Sequence, residues 1–230
     1  MSGMIEPSKP EAVFRLEGAE GIERLALWEI VSVLTSCLLA EWVVLSFAGG
    51  SKLVGAVPVT LAIGFMLYSH RERGENAKDV GFRLDNFFAA CRLLLLPTAG
   101  VILLLIGIAW FTRQPLVVAP WRNRFLLLPA WALFQQYALN GFINRRAQLA
   151  LGKGMKSVLV VALVFSLLHF PNPLLAILTF VGGLIWAAVY QRQPNLFALA
   201  LSHSVSSIAL ALTVSPTLLN SLRVGFKYFG

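Results

Sequence analysis

Beyond Asp85 the sequence contains no aspartate or glutamate: all eleven acidic residues fall within the first 85 positions, whereas residues 86–230 carry eleven lysines and arginines. Chemistry that needs paired carboxylates, as general acid and base or as ligands of a hard metal, therefore cannot be assembled from residues 86–230 alone. Cysteine is nearly as scarce. Cys37 and Cys91 stand without zinc or redox spacing, which excludes a disulfide scaffold and leaves both thiols as apolar packing residues. Charge of either sign is thin, 13% of residues against 57% hydrophobic, and the mean hydropathy is +0.74. Such a composition is too apolar for a water-soluble domain of this size.

What is present is a succession of apolar runs. A membrane-crossing helix needs about 20 largely apolar residues. Runs near Leu25–Ala48, Leu53–Tyr68, Ala90–Phe111, Phe125–Ile143, Ser157–Phe170, Leu174–Tyr190 and Asn195–Val214 predict an all-α, polytopic transmembrane helical bundle of seven spans, with eight as the alternative count. Residues 1–24 hold five glutamates against Lys9, Arg15 and Arg24, the wrong sign for the basic start of a secretory signal. They are expected to be a short polar tail, and residues 25–230 one transmembrane domain. With the tail in the cytoplasm, inner segments carry thirteen Lys/Arg and outer ones six, so the positive-inside rule places the N-terminus inside. These basic residues lie in short loops, which suits membrane lipid headgroups as partners and not nucleic acid. The short segments at Pro171–Pro173 and Gln191–Pro194 predict that the last three spans are neighbours, and Gly152-Lys153-Gly154 reads as a turn.

Polar side chains within these runs must find partners, which makes them the place to look for function. Gln136, Asn140 and Asn144 recur at i, i+4 and i+8, one face of a helix, with Gln135 beside them. His169 ends the fifth run just before Pro171 and Pro173, where the helix is expected to stop. His203 and Ser207 stand one turn apart in the seventh. The first run contributes Glu41, deep in its apolar stretch, and Glu29 nearer its start. Any one of these could simply bond across helices. A Gln pair and two histidines on separate spans point instead to a convergent intramembrane site.

The order Gln135-Gln136-x-x-x-Asn140-Gly141, then Phe165 to His169, then His203 to Ser207 resembles the CPBP family of intramembrane proteases, also called the CAAX-protease and bacteriocin-processing (Abi) family. That family reads Glu-Glu-x-x-x-Arg-Gly, then Phe-x-x-x-His, then His-x-x-x-Asn. The resemblance covers about residues 125–214. Gly81–Arg83 also looks like the region before the family's core, and Gly182-Gly183 falls where the family favours small residues for close helix packing. It implies that the first Glu and the following His activate a water for attack on a peptide carbonyl, while the later His and Asn stabilise the oxyanion. A metal-dependent account also exists for the family.

Carried over by position, Gln135 replaces the base, Gln136 the second Glu, Asn140 the Arg and Ser207 the Asn, while His169 and His203 are kept. An amide has no useful basicity, and a missing general base costs about 10²–10⁴-fold in rate. Glu41 is the one serious substitute carboxylate. His169 and His203 supply two nitrogens for a divalent metal such as zinc, but a third protein ligand is wanting unless Glu41 joins, so weak binding or none is expected and no other cofactor is implied. Two readings follow. One is a non-catalytic or strongly impaired homologue whose polar intramembrane cavity holds a lipidated or membrane-embedded peptide partner. The other is an active endopeptidase that uses His169 and His203 with Glu41. Residue chemistry favours the first. A small transporter ranks below both, because neither paired charges nor an inverted repeat is evident. The family's distribution points to a bacterial cytoplasmic membrane.

Overall fold

In the computed structural model, residues 9–44, 47, 52–116 and 125–230 are described. Part of the first expected span, and of the loop that holds Arg122 and Arg124, lies outside these residues. Among them the structure is all-helical, without a strand. Helix α1 (Lys9–Leu39) continues into a π-helical turn, Ala40–Val44. It is followed by α2 (Lys52–Glu72), the single turn α3 (Ala77–Val80) and α4 (Phe87–Phe111). Helix α5 (Leu128–Gln136) passes through a π-helix (Tyr137–Asn144) into α6 (Arg145–Leu151). Then come α7 (Met155–Leu167), α8 (Pro173–Arg192) and α9 (Leu196–Thr213), followed by two short 3-10 turns.

Four of these helices are long and apolar enough to cross a membrane: Glu20–Val44, Phe87–Phe111, Pro173–Arg192 and Leu196–Thr213. Helix α7 is apolar but shorter. Helices also occupy the remaining expected runs, although α1 begins at Lys9, so residues 9–24 are continuous with the first span.

The loop turns are built by specific caps. Asn76 accepts from the backbone N–H of Lys78 and Asp79, while Asp79 accepts from that of Asn76, a reciprocal box that starts α3. Gly81 ends it at φ +107°, and a Cβ there would lie 3.2 Å from both Leu196 and Tyr190, so only glycine fits. The Gly81 carbonyl accepts from Leu196 N–H at 2.9 Å, and Asn195 donates to the Arg83 carbonyl and to Asn86 Oδ1. The Gly81–Arg83 stretch thereby fixes the start of α9. The 152–154 segment is a turn, with Gly152 at φ +77° and Gly154 at φ +141°.

Helix α7 packs on α8, α1 on α6, and α9 chiefly on α4 and α5. The last three helices are thus less of a unit than their short connections suggest. Trp186 and Thr98 meet at Ser202, and α9 spends its small and polar face on the earlier helices. At Gly183 a Cβ would come within 2.8 Å of the Ala162 Cα, so the α7–α8 approach depends on this glycine. Gly182 instead faces the Trp186 ring of its own helix. Cys37 and Cys91 are free thiols packed against the apolar core.

Candidate functional site

The amides of α5 and the π-helix form one continuous chain. Asn140 Nδ2 donates to Gln136 Oε1 at 2.7 Å, and Asn144 Nδ2 donates to Asn140 Oδ1 at 2.9 Å. These contacts fix which end of each amide is oxygen. With its oxygen taken by Asn140, Gln136 turns its Nε2 to His203 Nδ1, 3.3 Å away. His203 Nδ1 is therefore the acceptor, and the ring's proton sits on Nε2. At the other end Asn144 Oδ1 accepts from Gln148 and Gln191, and Gln191 goes on to Ser157 Oγ and the Gly154 N–H. Gln136, Asn140 and Asn144 are completely buried. The i, i+4 side-chain ladder survives although the backbone widens to π geometry, a feature often found at functional positions.

His203 is fixed on three sides. Its ring stacks on Trp186 at 4.4 Å between centres and meets Phe165 edge-on at 5.8 Å. Trp186 in turn donates to Ser202 Oγ, which pairs with Thr98. His169 follows the last turn of α7, which ends at Leu167, two residues before the position expected from the prolines. Its Nδ1 donates to the Phe165 carbonyl at 2.8 Å, leaving Nε2 with a lone pair. Phe165 touches both imidazoles and so brings the two expected histidines to one place.

The other expected residues stand apart from this arrangement. Gln135 and Ser207 are half-buried and make no side-chain hydrogen bond among the described residues. Glu41 lies on the π turn that closes α1. Its Oε2 is buried without a partner among the described residues, and its backbone packs against Gly225, whose N–H donates to the Phe170 carbonyl. No hydrogen bond or ion pair joins Glu41 to either histidine. Among the described residues no three His, Cys, Asp or Glu side chains gather as metal ligands, and His203 Nδ1 is already engaged. The donor set around the histidines does not suit zinc.

Sequence reading missed a second polar centre and thereby the paired charges it expected to be lacking. Arg146, with no exposed surface, lies over the Phe142 ring and between two carboxylates. Its Nε is 2.9 Å from Glu29 Oε2, and its Nη1 and Nη2 donate to the two oxygens of Glu75. Ser69 and Arg73 complete Glu29; His70 and Arg145 complete Glu75. The signal was there in part, since Glu29 within an apolar run needs a cation, and Arg145-Arg146 is the one adjacent Lys/Arg pair in the sequence. Burial alone would raise the Glu75 carboxyl, but hydrogen bonds from His70, Arg146 and Arg145 hold it well below the usual carboxylate range. Its stabilising contribution is complete above the ordinary glutamate value of about 4.3 and is lost as pH falls toward the lower folded-state value. Wild-type protein in micelles is expected to lose thermal stability between about pH 5 and about pH 2 more steeply than Glu75→Gln; equal acid slopes would contradict this.

Residues 119–209 match the family model described as Type II CAAX prenyl endopeptidase Rce1-like. No curated protein and no solved structure matches the chain. The matched segment contains Gln135, Gln136, Asn140, His169, His203 and Ser207, and it begins beyond Asp85, the last acidic residue of the sequence. With its apolar helices the chain is an integral membrane protein, and over residues 119–209 it is similar to the type II CAAX prenyl endopeptidases.

Proposed function

We propose that this protein is a non-catalytic or strongly impaired homologue of the CAAX-type intramembrane proteases, which binds a lipidated or membrane-embedded peptide beside Gln135 and His169. The observation that carries the reading is the closed amide chain: His203 is bonded to a neutral amide whose other partners are also neutral, and no carboxylate is bonded to either imidazole. None of these amides can take a proton from water as a glutamate would, and neither imidazole has a carboxylate to orient it or to stabilise its charged form. What remains suits binding. His203 carries a donor N–H on Nε2, His169 offers a lone pair on Nε2, and the half-buried Gln135 amide has both donor and acceptor unspent. Such groups hold a peptide backbone, and the surrounding lipid accommodates an attached chain. In this reading the protein spans a bacterial cytoplasmic membrane seven times with its N-terminus inside.

The active alternative is favoured by one observation, the buried Glu41 Oε2, which has no partner among the described residues and lies on a turn whose backbone packs against Gly225, itself bonded to the Phe170 carbonyl just after His169. An assay separates the two. Purified protein incubated with a prenylated C-terminal peptide is expected to show no cleavage that depends on His169. Cleavage abolished by His169→Ala would end the non-catalytic reading, and its further loss in Glu41→Gln would establish the substitute carboxylate.

A further inference from the structure

Away from the amide chain, four buried polar atoms in and beside the Arg146 cluster lack a hydrogen-bond partner among the described residues: Arg73 Nε and Arg146 Nε, which belong to guanidinium groups already paired with Glu29, and His70 Nε2 and the Tyr137 hydroxyl. His70 and Tyr137 are both more than nine-tenths buried, at 5% and 8% exposure. Their rings belong to one aromatic group, with centres 5.9 Å apart and a 45° tilt. The imidazole is pinned. Its Nδ1 is 2.6 Å from Glu75 Oε2, and the ring stands edge-on to Phe142 at 5.4 Å. Tyr137 is held from its other side by Phe82 at 5.7 Å.

The protonation pattern follows from the neighbours. Glu75 accepts from Arg145 and from both terminal nitrogens of Arg146, so it is ionised and takes the His70 Nδ1–H. Arg73, Arg145 and Arg146 already outnumber Glu29 and Glu75, and a neutral imidazole adds no further charge to the cluster. Its Nε2, at the far edge of the ring from Glu75, then presents a lone pair. The phenol presents a donor O–H and an acceptor oxygen. Two buried groups of complementary capacity, neither bonded to protein, are the signature of a small bound hydroxylic molecule.

We propose that His70 Nε2 and the Tyr137 hydroxyl bind a single hydroxylic ligand, whose O–H donates to the imidazole and whose oxygen accepts from the phenol. Water has this chemistry, and so does a hydroxyl of a lipid headgroup. The site does not depend on the peptide-binding reading above. It rests on the one carboxylate–imidazole contact among the described residues, Glu75 with His70, the pairing that Gln135 and Gln136 do not provide. Tyr137 opens the π-helix, so the altered pitch serves two centres: Tyr137 and Phe142 contact His70, while Asn140 and Asn144 carry the amide chain.

Nitrogen-15 spectra of the full-length protein with labelled histidine test this, the His70 signals being assigned by their loss in His70→Gln. In wild type, His70 is expected as the neutral Nδ1–H tautomer with Nε2 displaced from the position of an unbonded imidazole nitrogen. Tyr137→Phe, which removes only the hydroxyl, is expected to return Nε2 toward that unbonded position. The signature persisting in a detergent that carries no hydroxyl group assigns the ligand to water. Its appearance only after glycerophospholipid is added assigns it to a headgroup hydroxyl. An unbonded Nε2 in wild type under both conditions overturns the proposal, as does an Nε2 that Tyr137→Phe leaves unmoved.

Discussion

Arg146→Met is expected to destabilise the protein by about 3–5 kcal/mol, the usual consequence of removing one partner from a buried ion pair. The guanidinium has no exposed surface and lies against both Glu29 and Glu75. With it gone, Glu29 keeps Arg73 and Ser69, and Glu75 keeps Arg145 and His70, so the loss is less than that of an isolated charge. Methionine retains most of the apolar stem packing over Phe142, which makes the deficit electrostatic in origin. Adding Glu29→Gln and Glu75→Gln to Arg146→Met should restore none of it, because Arg73 and Arg145 then lose the carboxylates they pair with. Unfolding of the variants in micelles, followed by helical signal against denaturant, reads both effects. A deficit under about 1 kcal/mol for Arg146→Met, the range of an exposed pair, would show that the cluster contributes little.

The position of this cluster explains its importance. Arg145 and Arg146 lie inside the family-matched segment, whereas Glu29, Ser69, His70, Arg73 and Glu75 all lie outside it. Helices α1 and α2 are therefore tied to the family core by charge as well as by apolar packing. The lopsided distribution of acidic residues acquires a reason from this. The core supplies cations to a buried centre, and the preceding helices supply the anions that neutralise them.

Much of the candidate site was legible in the sequence because it rests on local periodicity. Gln136, Asn140 and Asn144 fall on one helical face, and their ladder forms as the spacing requires. That His169 and His203 converge could be anticipated only from the motif order. Neither spacing nor composition indicates that Phe165 and Trp186 would be the contacts joining them. The π-helix was not legible at all. No proline marks it, and it coincides with a crowded approach, where a Cβ on Gly141 would meet Val80 at 2.9 Å. The Arg146 centre was hidden for a related reason: its partners are contributed by α1, α2 and a loop, at separations of about 70 residues and more, where pattern says nothing about proximity.

The double variant Gln135→Glu, Gln136→Glu is expected to gain His169-dependent cleavage of a prenylated peptide, rising by about 10²–10⁴-fold over wild type, the worth of a positioned general base. The geometry admits both replacements. Glutamate is nearly isosteric with glutamine, and at position 136 one carboxylate oxygen keeps the hydrogen bond from Asn140. The other oxygen meets His203 Nδ1, now an acceptor, and the imidazole must shift its proton from Nε2 to Nδ1 to donate to it. That exchange removes the Nε2–H from the face available to an oxyanion, so Gln136→Glu alone should give little activity. Gln135 carries no such obligation, since its amide makes no side-chain hydrogen bond and a carboxylate there is free to take a proton from water. Gln135→Glu alone is therefore expected to recover most of the gain. His169→Ala in the Gln135→Glu background should abolish it. If neither variant cleaves while both retain the wild-type unfolding profile, the missing base is not what separates this chain from an active protease, and the altered Asn140 and Ser207 positions become the next to restore.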